Sequence, residues 1–209
     1  MVELHQSRIT RVNLSKNEIS SFKNFTGHNN ILYLELKGNK LKDCVGICNM
    51  AKLQELYLNE NEITSLKELK NLPSLKRLEV NTNKLETLDD LPELPALERF
   101  DVGGNQIEKS TELKKLGTLL CLKHIVLAGC PFADEKGDDL KKEVLIMLDH
   151  LSIKMVNEDE ITEEDITTAK EEKEERLKQI KEAEEEAARL AAEKLAEGAE
   201  GQAAEEEAE

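Results

Sequence analysis

The sequence has no tryptophan, and its two tyrosines and four phenylalanines bring aromatic content to only 3%. A core built from it must be aliphatic. No stretch approaches the ~20 apolar residues of a membrane-spanning helix. Met1–His5 shows no basic region followed by an apolar run, so no secretory leader is expected. Without a leader, the four cysteines read as reduced thiols in a cytosolic compartment. No Gly-rich phosphate loop, Ser-His-Asp order or HExxH is present, so the expectation is a non-enzyme with no cofactor and no small-molecule substrate. A uniformly basic face is missing too. The formal charge is -15, but 21 of the 44 acids and 7 of the 29 bases fall in residues 157–209. The remainder holds 23 acids against 22 bases and is nearly neutral. Neither part suits nucleic-acid phosphates.

What is present is a repeat. Asn17, Asn39, Asn61, Asn83 and Asn105 stand 22 residues apart. Around each the apolar frame recurs, as in Leu53, Leu56, Leu58, Ile63, which reads LxxLxLxxNxL. Leu75, Leu78, Val80, Leu85 follow, then Leu97, Phe100, Val102, Ile107. A further copy, Leu122, Ile125, Leu127, Cys130, arrives three residues late. This is a leucine-rich-repeat array, an α/β solenoid, since one such unit cannot bury its own apolar face. Six parallel strands are expected, centred on Val12–Leu14, Leu34–Leu36, Leu56–Leu58, Leu78–Val80, Phe100–Val102 and Ile125–Leu127. Each asparagine is expected to face inward and satisfy backbone groups of two repeats.

The return paths are legible as well. Leu66, Leu69, Leu72, Leu75 and Leu88, Leu91, Leu94, Leu97 step by three, the period of a 3₁₀-helix. Leu113, Leu116 and Leu120 mix steps, which predicts a short α-helix capped by Ser110 or Thr111. From Gly137-Asp138-Asp139, the residues Leu140, Val144, Met147, Leu148 and Leu151 share one face and predict a C-terminal cap helix. Ile153 and Met155 are expected to close the sheet. These features place an array with its cap at residues 1–156.

Residues 157–209 read as an acidic helical tail. Thr162 and Asp165 resemble a capping box, and Glu172–Arg176 is a favourable i, i+4 pair. The helix is expected from Thr162 to Glu197. Leu177, Ile180, Leu190 and Leu195 form a narrow apolar stripe, but no heptad is sustained as a coiled coil requires. Gly198 and Gly201 predict an interruption, with disorder near the end.

Outward-facing strand positions form two columns. One is Arg11, Tyr33, Glu55, Arg77, Arg99, His124; the other is Asn13, Glu35, Tyr57, Glu79, Asp101, Val126. Two readings stand side by side: a solvated, self-neutralising face, or a protein-docking surface. The docking reading takes Tyr33, Tyr57, Arg77 and Arg99 as anchors, with Leu177, Ile180 and Leu190 of the tail as a second adhesive surface. Cys44 and Cys48, near His28 or His124, lack metal-site spacing and read as structural thiols; no metal is expected.

Three segments carry a closer resemblance: LELKGNKLKDCVGICNMAKLQELYLNEN at 34–61, GCPFADE at 129–135, and EVLIMLDHL at 143–151 followed by an acidic run and EERLKQ. Together they resemble the family of leucine-rich repeat-containing protein twenty-three, a radial-spoke component of motile cilia. Cys130-Pro131 departs from that family's usual Asn-Pro. The resemblance implies a structural scaffold in the cytoplasm, on the ciliary or flagellar axoneme, holding other radial-spoke and axonemal proteins, with no nucleic-acid or membrane partner. The 22-residue pattern alone is also similar to a leucine-rich regulator of a serine/threonine phosphatase and to acidic nuclear phosphoproteins, which implies a soluble adaptor instead.

Overall fold

The computed structural model describes residues 8–25 and 29–206, with side chains through Arg189. The chain divides into two compact units, Met1–Ile166 and Thr167–Glu209.

In the first unit, alternation of apolar and polar residues every 22 positions produces a row of three-residue strands: β1 (Arg11–Asn13), β2 (Tyr33–Glu35), β3 (Glu55–Tyr57), β4 (Arg77–Glu79), β5 (Arg99–Asp101) and β6 (His124–Val126). Each starts one residue before its expected centre. All six are parallel and in register, with Leu34↔Leu56↔Leu78↔Phe100↔Ile125 at the middle of successive strands. These five side chains are fully buried. A second row, Leu36, Leu58, Val80, Val102 and Leu127, is buried beside it. Burying such side chains stabilises by about 1.5–3 kcal/mol each. That contribution exists only because a neighbouring repeat covers each row.

The asparagines hold the turns. Asn61 Nδ2 donates to Leu36 O at 3.0 Å in the previous repeat and to Leu58 O at 2.9 Å in its own, while its Oδ1 accepts from Leu41 N at 3.1 Å. Asn39, Asn83 and Asn105 repeat the pattern. Cys130 fills the last slot, its buried thiol donating to Val102 O at 3.4 Å. The residue before each slot takes a left-handed turn: Lys16, Gly38, Glu60, Thr82, Gly104 and Gly129 all have positive φ. A branched side chain such as Thr82 is strained there.

Two expectations about the return paths are corrected. After Ile63 and after Leu85 the chain makes separate turns instead of a continuous 3₁₀-helix, with Leu69 N bonded to Leu66 O and Leu75 N to Leu72 O. Asn71, at φ 58°, breaks the run between those turns. In the next return Pro92 has no N–H with which to continue. The converse holds at Ser110–Thr118, which is a nine-residue 3₁₀-helix, not an α-helix. It starts after Lys109 with no side-chain cap. Neither proline nor a left-handed residue interrupts it. It buries Leu113 and Leu116, and Leu119 just past its end is buried as well, while Leu120 stays 74% exposed. The step of three persists, and the three extra residues of this repeat amount to one 3₁₀ turn.

The cap begins earlier than expected. α1 (Pro131–Lys136), a 3₁₀ turn (Gly137–Asp139) and α2 (Leu140–Met147) follow one another. Leu140, Val144 and Leu148 are buried, and Leu151 lies beyond the helix end. β7 (Met155–Val156) adds parallel to β6, and β8 (Asp159–Glu160) pairs antiparallel with β7. Asn157, in the hairpin between them, accepts Leu127 N at 2.8 Å and Ala128 N at 3.0 Å through Oδ1. The terminal repeat therefore receives its amide from the cap. At the other edge β1 is only half covered: Val12 and Leu14 are half-buried and Ile9 is exposed.

α3 (Glu163–Glu206) opens with the expected capping box, Thr162 Oγ1 accepting Asp165 N at 3.2 Å and Thr162 N donating to Asp165 Oδ2 at 2.9 Å. It runs through Gly198 and Gly201, correcting the expected interruption, and ends nine residues beyond Glu197. No described helix is long and apolar enough to cross a membrane.

Candidate functional site

The parallel register turns two strand positions into columns on the concave face. Arg11↔Tyr33↔Glu55↔Arg77↔Arg99↔His124 run side by side, and so do Asn13↔Glu35↔Tyr57↔Glu79↔Asp101↔Val126. β7 extends the first column with Met155. These side chains point away from the core because their strand neighbours point into it.

Over β1–β4 the face is internally bonded. The Tyr33 hydroxyl donates to Glu35 Oε2 at 2.7 Å, which also accepts Asn13 Nδ2 at 2.7 Å. The Tyr57 hydroxyl donates to Glu55 Oε2 at 2.5 Å. The two rings lie 5.1 Å apart, tilted by 43°. Arg11 sits over the Tyr33 ring at 4.0 Å, and Arg77 over Tyr57 at 5.3 Å. The result is a stack, Arg11–Tyr33–Tyr57–Arg77, with a cation at each end of an aromatic pair. Burial, then the hydrogen bond to Glu35, pushes the Tyr33 phenol up to about 12. Burial and Glu55 push Tyr57 up as well. Arg77 is fixed in turn by Glu79, whose Oε1 accepts Nε at 2.7 Å and Nη2 at 2.5 Å.

Over β5–β7 the pattern changes. Asp101 occupies the position of Glu79 but is one methylene shorter. It accepts Asn81 Nδ2 at 2.7 Å and Gly103 N at 3.1 Å, and makes no bond to Arg99. Arg99 Nε is buried with no hydrogen-bond partner. Burial and then the Arg99 charge lower the His124 pKa, which favours its neutral form. Along the one column the two arginines therefore differ: Arg77 is paired and Arg99 is not.

A third column, Ser15, Lys37, Asn59, Asn81, Gly103 and Ala128, was missed by the sequence reading. Asn59 donates to Glu79 Oε2 at 2.9 Å while its own Oδ1 is buried without a partner. Counting the 22-residue register two positions past each strand would have found it. Arg11 also gains a role as the cation that closes the stack.

The remaining sequence candidates lie elsewhere. Leu177 and Ile180 on α3 are 48% and 54% exposed, so the apolar stripe faces out there. The side chain of Leu190 lies outside the described residues. Cys44 is buried, its Sγ 3.9 Å from Ser65 O, and burial pushes its thiol up to about 12. His28 is outside the described residues. Among the described residues no group of three or more His, Cys, Asp and Glu gathers as a metal site.

Comparison with known proteins agrees with this geometry. Residues 51–93 match the family described as leucine rich repeats (2 copies). Among solved structures, an LRR protein of Leptospira interrogans is similar at 26% identity and TM-score 0.55, over 70% of this chain and 37% of that one. An internalin of Listeria monocytogenes is similar at 18% identity and TM-score 0.51, over 75% of this chain and 49% of that one. The chain thus spans less than half the length of either. The SNF/U2A' complex of Drosophila melanogaster matches at 18% identity and TM-score 0.50, over 81% of this chain and 87% of that one. No curated protein matches the sequence. The 22-residue register, the asparagine ladder and these matches together show a leucine-rich-repeat solenoid fold.

Proposed function

We propose that the protein is a non-enzymatic scaffold that docks other proteins on its concave face. The Arg11–Tyr33–Tyr57–Arg77 stack carries this reading. Aromatic and arginine side chains dominate binding hot spots because they offer large contact area. Here hydrogen bonds to Glu35, Glu55 and Glu79 hold them before any partner arrives, so little side-chain entropy is lost on binding. Leu177 and Ile180 add an exposed apolar stripe on α3, a second surface of the same kind. One fold neighbour was itself solved as a complex of two proteins, which accords with protein partners.

The finer assignment rests on sequence resemblance. Segments 34–61, 129–135 and 143–151, in the order repeat, cap, tail, support a radial-spoke scaffold on the axoneme of motile cilia. The shared 22-residue register supports the other reading, an adaptor of a serine/threonine phosphatase or of nuclear partners. A tagged full-length copy expressed in a ciliated cell separates them. Signal along the axoneme that is lost with Tyr33→Ala and Tyr57→Ala together is the expected result. Diffuse or nuclear signal overturns the axonemal assignment. Axonemal signal unchanged by the double substitution overturns the concave face as the docking surface.

A further inference from the structure

We propose that the β5–β7 end of the concave face is a subsite for a single carboxylate, an Asp or Glu on a partner protein, received by Arg99. This rests on the concave-face reading and names the chemistry of its partner.

The observation is an inequality between two equivalent positions. Arg77 and Arg99 share a column, and each has an acid two residues on, Glu79 and Asp101. Glu79 is long enough to reach back and take Arg77 through two nitrogens. Asp101 instead accepts Asn81 and Gly103 N. Among the described residues, the Arg99 side chain makes no hydrogen bond or ion pair, and its Nε is buried. An unpaired buried donor on a charged group is unfavourable, so the free protein carries a strain that a partner's acceptor relieves. The surroundings select which acceptor. Asp101 lies two residues on from Arg99 with Glu79 beside it on the adjacent strand, so a dianionic phosphate meets more like charge than a single carboxylate, which balances one guanidinium. His124 pairs beside Arg99 on the next strand, where burial and the Arg99 charge disfavour a second cation. Beyond it, half-buried Val126 and Met155 form an apolar floor. A matching segment therefore presents an acid next to an apolar side chain.

The test is selection of a randomised 12-residue peptide library on the immobilised full chain, followed by affinity measurements on synthetic peptides. Enriched peptides are expected to share an Asp or Glu beside an apolar residue. Arg99→Met should weaken them about tenfold to a hundredfold, the size of a charge-assisted hydrogen bond. Arg99→Lys, which lacks the planar fork, should fall between. Thermal melting of Arg99→Met should be unchanged or higher, because removing an unsatisfied donor costs nothing. Peptides that lose binding with Tyr33→Ala or Tyr57→Ala yet bind Arg99→Met normally overturn the subsite and leave the concave face standing. Tighter binding of the same peptides with phosphoserine in place of the acid overturns the choice of carboxylate. No enrichment, or binding indifferent to all these substitutions, overturns the subsite and the concave-face reading together.

Discussion

The repeat array and helix α3 draw their order from opposite sources. Each array strand is only three residues long, and nothing within one repeat would hold it. Its stability comes from contacts across 22 residues: Leu78 packs in register between Leu56 and Phe100, and Val80 N donates to Asp101 O at 2.8 Å in the following repeat. α3 is 44 residues long and holds itself through its own turns and local pairs, such as Arg176 Nη2–Glu172 Oε1 at 2.6 Å. Past residue 170 its described side chains are half-buried or exposed. The difference teaches that an element's length does not say where its order comes from. The short strands make the fixed frame on which a recognition surface can be preorganised. The long helix carries its order within itself and leaves Leu177 and Ile180 exposed.

The comparison breaks first where a between-repeat contact is removed. Leu78→Ala opens a cavity in a fully buried site and should destabilise the array by about 2–5 kcal/mol in urea melts. A loss well under 1 kcal/mol would mean the repeats do not depend on one another. Asn83→Ala comes next. Its amide serves Leu58 O, Val80 O and Ile63 N, and leaving such buried groups unmade should cost about 1–3 kcal/mol.

Smaller effects sharpen the contrast. Thr82 sits at φ 55°, where a branched side chain is strained by about 1–2 kcal/mol. Thr82→Gly relieves that strain against about 0.5–1 kcal/mol of added unfolded-state entropy, so a gain of about 0.5–1 kcal/mol is expected. In α3, Glu172→Ala removes the pair with Arg176, worth only about 0.3–0.5 kcal/mol, and should lower helicity only slightly by circular dichroism. The stack has its own titration. Tyr33 and Tyr57 are the only tyrosines, so all tyrosinate absorbance reports on them. Their raised pKa values stabilise the fold below pH 10, and that contribution is lost as pH rises toward 12. In the folded protein tyrosinate absorbance should therefore emerge first from Tyr33, near pH 12, with Tyr57 also shifted upward, and near pH 10 for both in denaturant. Emergence near 10 in both would mean the hydroxyls are not held.

Much of this was readable from residues alone, for physical reasons. A 22-residue period fixes which side chain of each strand points inward, so the columns of the concave face followed from counting. Return paths were harder, because Leu119 and Leu120 are equally apolar and only the backbone path decides which is buried. The break in the first expected 3₁₀ run depended on a left-handed Asn71. The cap's role for Asn157 was hidden because that residue falls where the composition turns acidic. The unpaired state of Arg99 turns on one methylene, Asp101 against Glu79, a difference that charge counting treats as nil. The uninterrupted helix at Gly198 and Gly201 shows that a cost of about 1 kcal/mol per glycine lowers helix propensity without ending a helix.

Native-state hydrogen exchange tests the central contrast most directly, since it reads local opening free energies along the chain. The amides of Leu36, Leu58 and Val80, each bonded to a neighbouring repeat, should exchange only through global unfolding and share one free energy. Amides of α3 between Glu175 and Glu185 should exchange orders of magnitude faster. Equal protection in both regions, or strands that open one at a time with different free energies, would contradict a cooperative frame bearing a self-supported helix.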